Sequence, residues 1–103
     1  MSLISDVREI TENINKLHIE DPKISDYWQE LTLLLTKDEN ETLSLLSTIE
    51  NADIVEDISS VFDDVSFELQ SEAFIKCITQ LDNQFPEKNL GNAVEAAKNN
   101  MMD

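Results

Sequence analysis

Apolar residues recur along this chain at helical spacing. Leu3, Val7, Ile10, Ile14 and Leu17 follow one another in alternating steps of four and three, which lays a single stripe along an amphipathic helix. Pro22 cannot continue a hydrogen-bonded helix and disfavours helical geometry at Asp21, so this helix is expected to end near Glu20. A second helix, capped by Ser25 or Asp26, carries Trp28, Leu31 and Leu35 on its stripe, widened by Tyr27 and Leu34. Asp38 followed by Glu41 has the form of a capping box, and Leu43, Leu46 and Ile49 continue a third helix to about Glu50.

The second half repeats the logic. Asp53 can cap a fourth helix in which Ile54, Ile58, Val61 and Val65 share a face that Val55 and Phe62 broaden. From Asp64 to Gln70 the alternation of Val65, Phe67 and Leu69 has the period of a strand, but it has no partner strand and reads as a packed connection. Ser71 caps a fifth helix with Phe74, Cys77, Ile78 and Leu81 inward and Phe85 at its end, stopped by Pro86. Asn89 caps a thin sixth helix through Leu90, Ala93, Val94, Ala97 and Met101, fraying at Asn99, Asn100 and Asp103.

The expectation is one all-α domain over residues 1–103, with about six short helices. Residues 1–21 form an amino-terminal amphipathic helix and residues 87–103 a carboxy-terminal capping helix. The middle four helices group as two hairpins, Ile24 to Glu50 and Asp53 to Phe85, whose spacing approaches that of HEAT-like helical repeats. A HEAT-like stack of hairpins and a compact irregular bundle are both compatible with this pattern.

Composition agrees and narrows the function. Leu, Ile, Val and Phe supply 31 of 103 residues, enough for a core, while one glycine is too few for hairpin turns or phosphate loops. The 22 Asp and Glu against 7 Lys and Arg give a net charge of −15, which opposes any binding to nucleic acid through phosphate neutralisation and any attraction to anionic membranes. No apolar run reaches the roughly 20 residues needed to span a bilayer. Met1 to Glu20 has neither the basic flank nor the apolar block of a secretory signal, so a cytoplasmic location is expected, and a single cysteine cannot form an internal disulfide.

Chemistry finds little to work with. His18 reads as a surface imidazole and Cys77 as a small core residue. One Cys and one His cannot complete a zinc site. The acid-rich stretches from Asp38 and Asp63 lack Gly at the sixth loop position and place Ile49 and Phe74 at the twelfth, so neither is an EF-hand. No catalytic, metal or cofactor site is nominated, and no cofactor and no enzymatic activity are expected.

What stands out is where the charge lies. Between Asp38 and Ile75 there is no Lys or Arg, while eleven acids occur there. At about 100° per residue, the fourth helix places Asp53, Glu56, Asp57, Ser60, Asp63 and Asp64 on one arc, opposite the apolar face. Like charges at these spacings destabilise a helix by about 0.2–0.5 kcal/mol per pair, and no intrahelical Lys relieves them. The plain alternative is a solvated face of an acidic protein; the functional one is a docking surface for a basic partner, steered over a Debye length of about 8 Å. Basic nucleases fit such a surface because their own substrate sites are positive.

A small acidic helical chain with the run DIVEDISSVFDDVSFELQ from Asp53 to Gln70, then SEAF from Ser71 and QFP from Gln84, resembles bacterial immunity proteins of polymorphic-toxin and contact-dependent growth inhibition systems, over residues 25–98. The resemblance implies cytosolic neutralisation of one cognate basic toxin, with no activity of the chain's own. On that reading the contacts are Glu50, Asp53, Glu56, Asp57, Asp63, Asp64 and Glu68, with Tyr27 as an aromatic anchor. Trp28, in register with Leu31 and Leu35, reads as core rather than interface. Two rivals stand beside this: a helical-repeat adaptor with an apolar groove, marked by exposure of Leu33, Leu45 or Phe67, and a DNA-mimic inhibitor with acids spaced like phosphates.

Overall fold

A computed structural model describes residues 3–17 and 20–102; the imidazole of His18 lies outside that range. The described chain is all-α, with helices α1 (Leu3–Lys16), α2 (Lys23–Lys37), α3 (Glu39–Thr48), α4 (Ala52–Ser59), α5 (Phe62–Leu69), α6 (Glu72–Gln84) and α7 (Gly91–Asn99). A turn of 3-10 helix, Pro86–Lys88, joins α6 to α7. The described residues thus form seven α-helices where the pattern predicts about six.

The additional helix comes from the acidic segment. The expected fourth helix does not run from Asp53 to Val65: it ends at Ser59, turns through Ser60 and Val61, and restarts at Phe62. Ser59 donates its hydroxyl to the Glu56 carbonyl, a local bond that competes with continued helix, and Asp63 and Asp64 then fall in the first turn of a new helix, where carboxylates are favoured. The stretch 64–70 expected as a packed connection is therefore mostly α5. Its inward stripe is Phe62, Val65, Ser66 and Leu69, at steps of three, one and three, and Phe67 faces out. The strand-like alternation was accidental because the small polar Ser66 occupies a core position.

Helix ends follow the capping rules in part. Asp38 accepts the Glu41 amide at 3.2 Å and Ser71 accepts that of Phe74 at 3.1 Å, both as the sequence predicts. The caps assigned to Ser25 or Asp26, to Asp53 and to Asn89 are corrected. α2 starts at Lys23 after Pro22, Asn51 caps α4 by accepting from the amides of Asp53 and Ile54, and Asn89 adopts left-handed geometry at φ 54° before α7. Two-residue reach explains Asn51, since an Asx side chain bonds the amides just ahead of it. Proline suits an αR position at the start of α2 because the missing amide has no intrahelical partner there.

Packing joins α2 to α5 and α3 to α6, so the hairpins α2–α3 and α5–α6 lie side by side within a compact bundle. α1 closes one side against α2, α3 and α4, and α7 closes the other against α5 and α6. The radius of gyration, 12.8 Å, is that of a compact chain of this length, and all seven helices contribute to one apolar cluster. Full burial of residues such as Leu31, Phe62, Phe74 and Ile78 stabilises the fold by about 1.5–3 kcal/mol each. Four buried polar side chains interrupt the cluster, and each is hydrogen-bonded. Thr11 donates to the Arg8 carbonyl, Thr42 to that of Leu35, Ser66 to that of Ala97, and Ser71 to the Glu39 carboxylate.

Candidate functional site

The break at Ser60 and Val61 divides the acids expected on one arc into two groups. On α4, Asp53, Glu56 and Asp57 lie near one another. Lys88, from the turn after α6, brings its Nζ within 2.9 Å of Asp53 Oδ1 and 3.6 Å of Glu56 Oε1. Both carboxylates hold the Lys88 ammonium above its ordinary value, the Asp53 hydrogen bond most strongly. Asn15 of α1 donates to Asp57 Oδ2 at 3.0 Å. Partial burial raises the Asp57 carboxyl above its usual range, and Glu56 and Asp53 add to the rise against the Asn15 bond.

On α5, Asp63, Asp64 and Glu68 form the second group. Burial raises the Asp64 carboxyl, and repulsion from Asp63 and Glu68 raises it further. The carboxylates that raise Asp57 come from α4 and those that raise Asp64 from α5. Among the described residues, side-chain ion pairs link Lys88 to Asp53 and Glu56, and Lys98 to Glu95; Asp63, Asp64 and Glu68 have none.

Two of the expected contacts lie elsewhere. Glu50, just past the end of α3, borders an open cleft of about 540 Å³ between α1, α3 and α4, with Arg8 also on its wall. Tyr27 is half-buried and borders a recess of about 180 Å³ between α1 and α2, among Asp6, Glu9 and Glu30. The structure thus gathers Asp53, Glu56 and Asp57 at one place and Asp63, Asp64 and Glu68 at another, and it joins neither group to Glu50 or Tyr27 in a common recess.

A different feature adjoins the α5 acids. α2 and α5 bound a groove of about 670 Å³ lined by Ser25, Trp28, Gln29, Thr32, Leu33, Thr36, Asp64, Phe67 and Glu68. Leu33 is 68% exposed and Phe67 53%, large values for apolar side chains of their size, whereas Leu45 is only 8% exposed and belongs to the core. Trp28 is half-buried at the edge of that core, so the expectation of plain core packing is corrected: part of the indole faces the groove. Cys77 is likewise half-buried rather than enclosed.

Sequence reasoning missed Lys88, which lies 35 residues from Asp53 and becomes its neighbour only through the fold. It also missed that Phe67 and Leu33 border one groove, since that depends on α2 packing beside α5. Among the described residues no group of three or more His, Cys, Asp or Glu is arranged to hold a metal ion, and no helix is long and apolar enough to cross a membrane. Compared with models of protein families, with curated proteins and with solved structures, the chain matches none of them.

Proposed function

We propose that this chain is a non-catalytic binding protein of the cytoplasm that neutralises a basic partner protein, in the manner of the toxin-immunity proteins its central run resembles. The observation that carries the reading is the α5 group: Asp63, Asp64 and Glu68 lie together without a counter-ion among the described residues. Asp64 also binds its proton more tightly than an ordinary carboxyl does. An arrangement tuned only for stability would spread or neutralise such charges; a basic partner relieves them. A nuclease domain is the partner class favoured, because a positive substrate groove is what a carboxylate face can occlude.

The adaptor reading gains from the exposure of Leu33 and Phe67 and is joined to this one below. The DNA-mimic reading gains less, since the acids fall into separate groups and one already holds Lys88. The test is association with the basic domain encoded in the neighbouring reading frame, followed by stopped-flow mixing. A one-to-one complex is expected, with an association rate that falls at least about tenfold between low and high salt, and further on reversing Asp64 to Lys. No complex, or one indifferent to salt and to Asp64, rejects the proposal.

A further inference from the structure

Resting on that reading, we infer that the α2–α5 groove is the docking site, and that its occupant is a basic amphipathic helix of the partner protein. The helix would lay its apolar stripe over Trp28, Leu33 and Phe67 and direct Lys or Arg side chains to Asp64 and Glu68.

The shape comes from α2. Ser25, Trp28, Thr32 and Thr36 follow one another by steps of three and four, so they form a continuous stripe along the groove. The rise from Ser25 to Thr36 is about 16 Å, room for roughly three turns of a second helix laid alongside. The two threonines do not make this floor polar. The Thr32 hydroxyl donates to the Trp28 carbonyl at 3.0 Å and that of Thr36 to the Thr32 carbonyl at 2.9 Å, each inside its own helix. Their hydroxyl hydrogens are thus satisfied within α2 and need no partner from an occupant of the groove.

The opposite wall sets the charge of the occupant. α5 offers Asp64, Phe67 and Glu68, one helical turn with an aromatic ring among carboxylates, and no Lys or Arg lines the groove. A wholly apolar helix would desolvate Asp64 and Glu68 without compensation, whereas one with flanking cations pairs them as it buries Leu33 and Phe67. An inter-helical trough favours a helix over an extended segment, since an added strand needs a sheet edge and there is none among the described residues. A second copy of this chain is opposed by the net charge of −15 on each. An anionic lipid surface is opposed for the same reason.

Trp28 is the one tryptophan of the sequence, so its fluorescence reports the groove. The probes are three synthetic helical peptides of about 18 residues, or five turns. One has a Leu stripe on a Lys background, one the same stripe on a Glu background, and one has the Leu positions replaced by Ser on Lys. The Leu/Lys peptide is expected to shift Trp28 emission to the blue and to bind at least about tenfold more tightly than either control. The double variant Leu33→Ser, Phe67→Ser, both exposed positions, should keep its helical circular dichroism and lose at least about tenfold in affinity. Reversal of Asp64 and Glu68 to Lys should transfer the preference to the Leu/Glu peptide.

Equal binding of the Leu/Lys peptide to the Leu33, Phe67 variant, or no change at Trp28, overturns the groove as the site. If the Ser/Lys peptide then still binds in a salt-dependent way, the basic-partner reading stands without the groove. Equal binding of the Leu/Glu and Leu/Lys peptides overturns the basic occupant and the reading beneath it. Self-association of the free chain that shields Trp28 would make a second copy the occupant and likewise overturn the inference.

Discussion

The Phe74 ring meets that of Phe62 edge-on, with centroids 5.9 Å apart and planes at 87°. One ring comes from α5 and the other from α6, so the contact fastens the hairpin formed by the segment that the sequence pattern misassigned. Edge-to-face pairs add about 0.5–1.5 kcal/mol beyond the burial of the rings themselves. Both side chains are almost wholly enclosed. Phe74→Ala is therefore expected to cost about 3–5 kcal/mol, from the cavity and the lost pair together, and to shift the urea midpoint accordingly. A loss under about 1 kcal/mol would mean the rings do not meet in this way.

Thr42 gives a second measurement. Its buried hydroxyl donates at 2.6 Å to the carbonyl of Leu35, one of the last four of α2, which has no partner further along its own helix. Thr42→Val keeps the shape and leaves that carbonyl without its donor. The expected loss is about 1–3 kcal/mol, read from the same denaturant titration, while Thr42→Ser should lose less because the donor remains.

Stability should rise on mild acidification. Asp57 and Asp64 both bind protons more tightly folded than at their ordinary value of 3.8. Just above that value the folded chain therefore carries more protons than the unfolded one, and stability falls as pH rises through the folded-state values. Thermal unfolding is expected at a slightly higher temperature near about pH 5 than near about pH 7, with Asp64→Asn flattening the difference; Asp64 is exposed, so solvent screening keeps its share small. A midpoint that falls on going to about pH 5, or an unchanged profile in the variant, contradicts this.

Among the described residues, the non-glycine residues Gln70 and Asn89 have positive φ, and they should respond in opposite senses to the same change. Asn89, at φ 54°, follows the 3-10 turn and is exposed; Asn89→Gly is expected to be neutral or stabilising by up to about 1 kcal/mol. Gln70, at φ 47°, donates to the carbonyls of Phe67 and Asn100 and accepts the Met102 amide. Gln70→Gly relieves the backbone yet removes these side-chain bonds, and is expected to destabilise by about 1–2 kcal/mol.

Legibility in the sequence depended on whether a signal was local. The stripe of Val7, Ile10 and Ile14, the caps at Asp38 and Ser71 and the all-α class were readable, because each is a matter of spacing within a few residues. The break between α4 and α5 was not: Ile54, Ile58, Val61 and Val65 make a continuous stripe on paper, and all four are buried even though the helix turns between them. Ser66 was unreadable for a related reason, since a polar residue at a core position is explained only by the Ala97 carbonyl 31 residues away. At the candidate site the acids themselves were visible. Their division, the neutralising Lys88 and the placing of Leu33 and Phe67 on one groove all depend on which helices become neighbours.

The seam between α5 and α7 bears on how the chain opens. Ser66 holds the Ala97 carbonyl, Gln70 that of Asn100, and the Asn100 side chain returns to the Asp63 carbonyl at 2.9 Å. The bonds run from points along α5 to the carboxy-terminal end of α7, so the tail expected to fray at Asn100 is stitched down instead. Amide protons of α7 should then exchange with solvent in step with those of α5, and a perturbation at either helix should register at its companion as a change in protection.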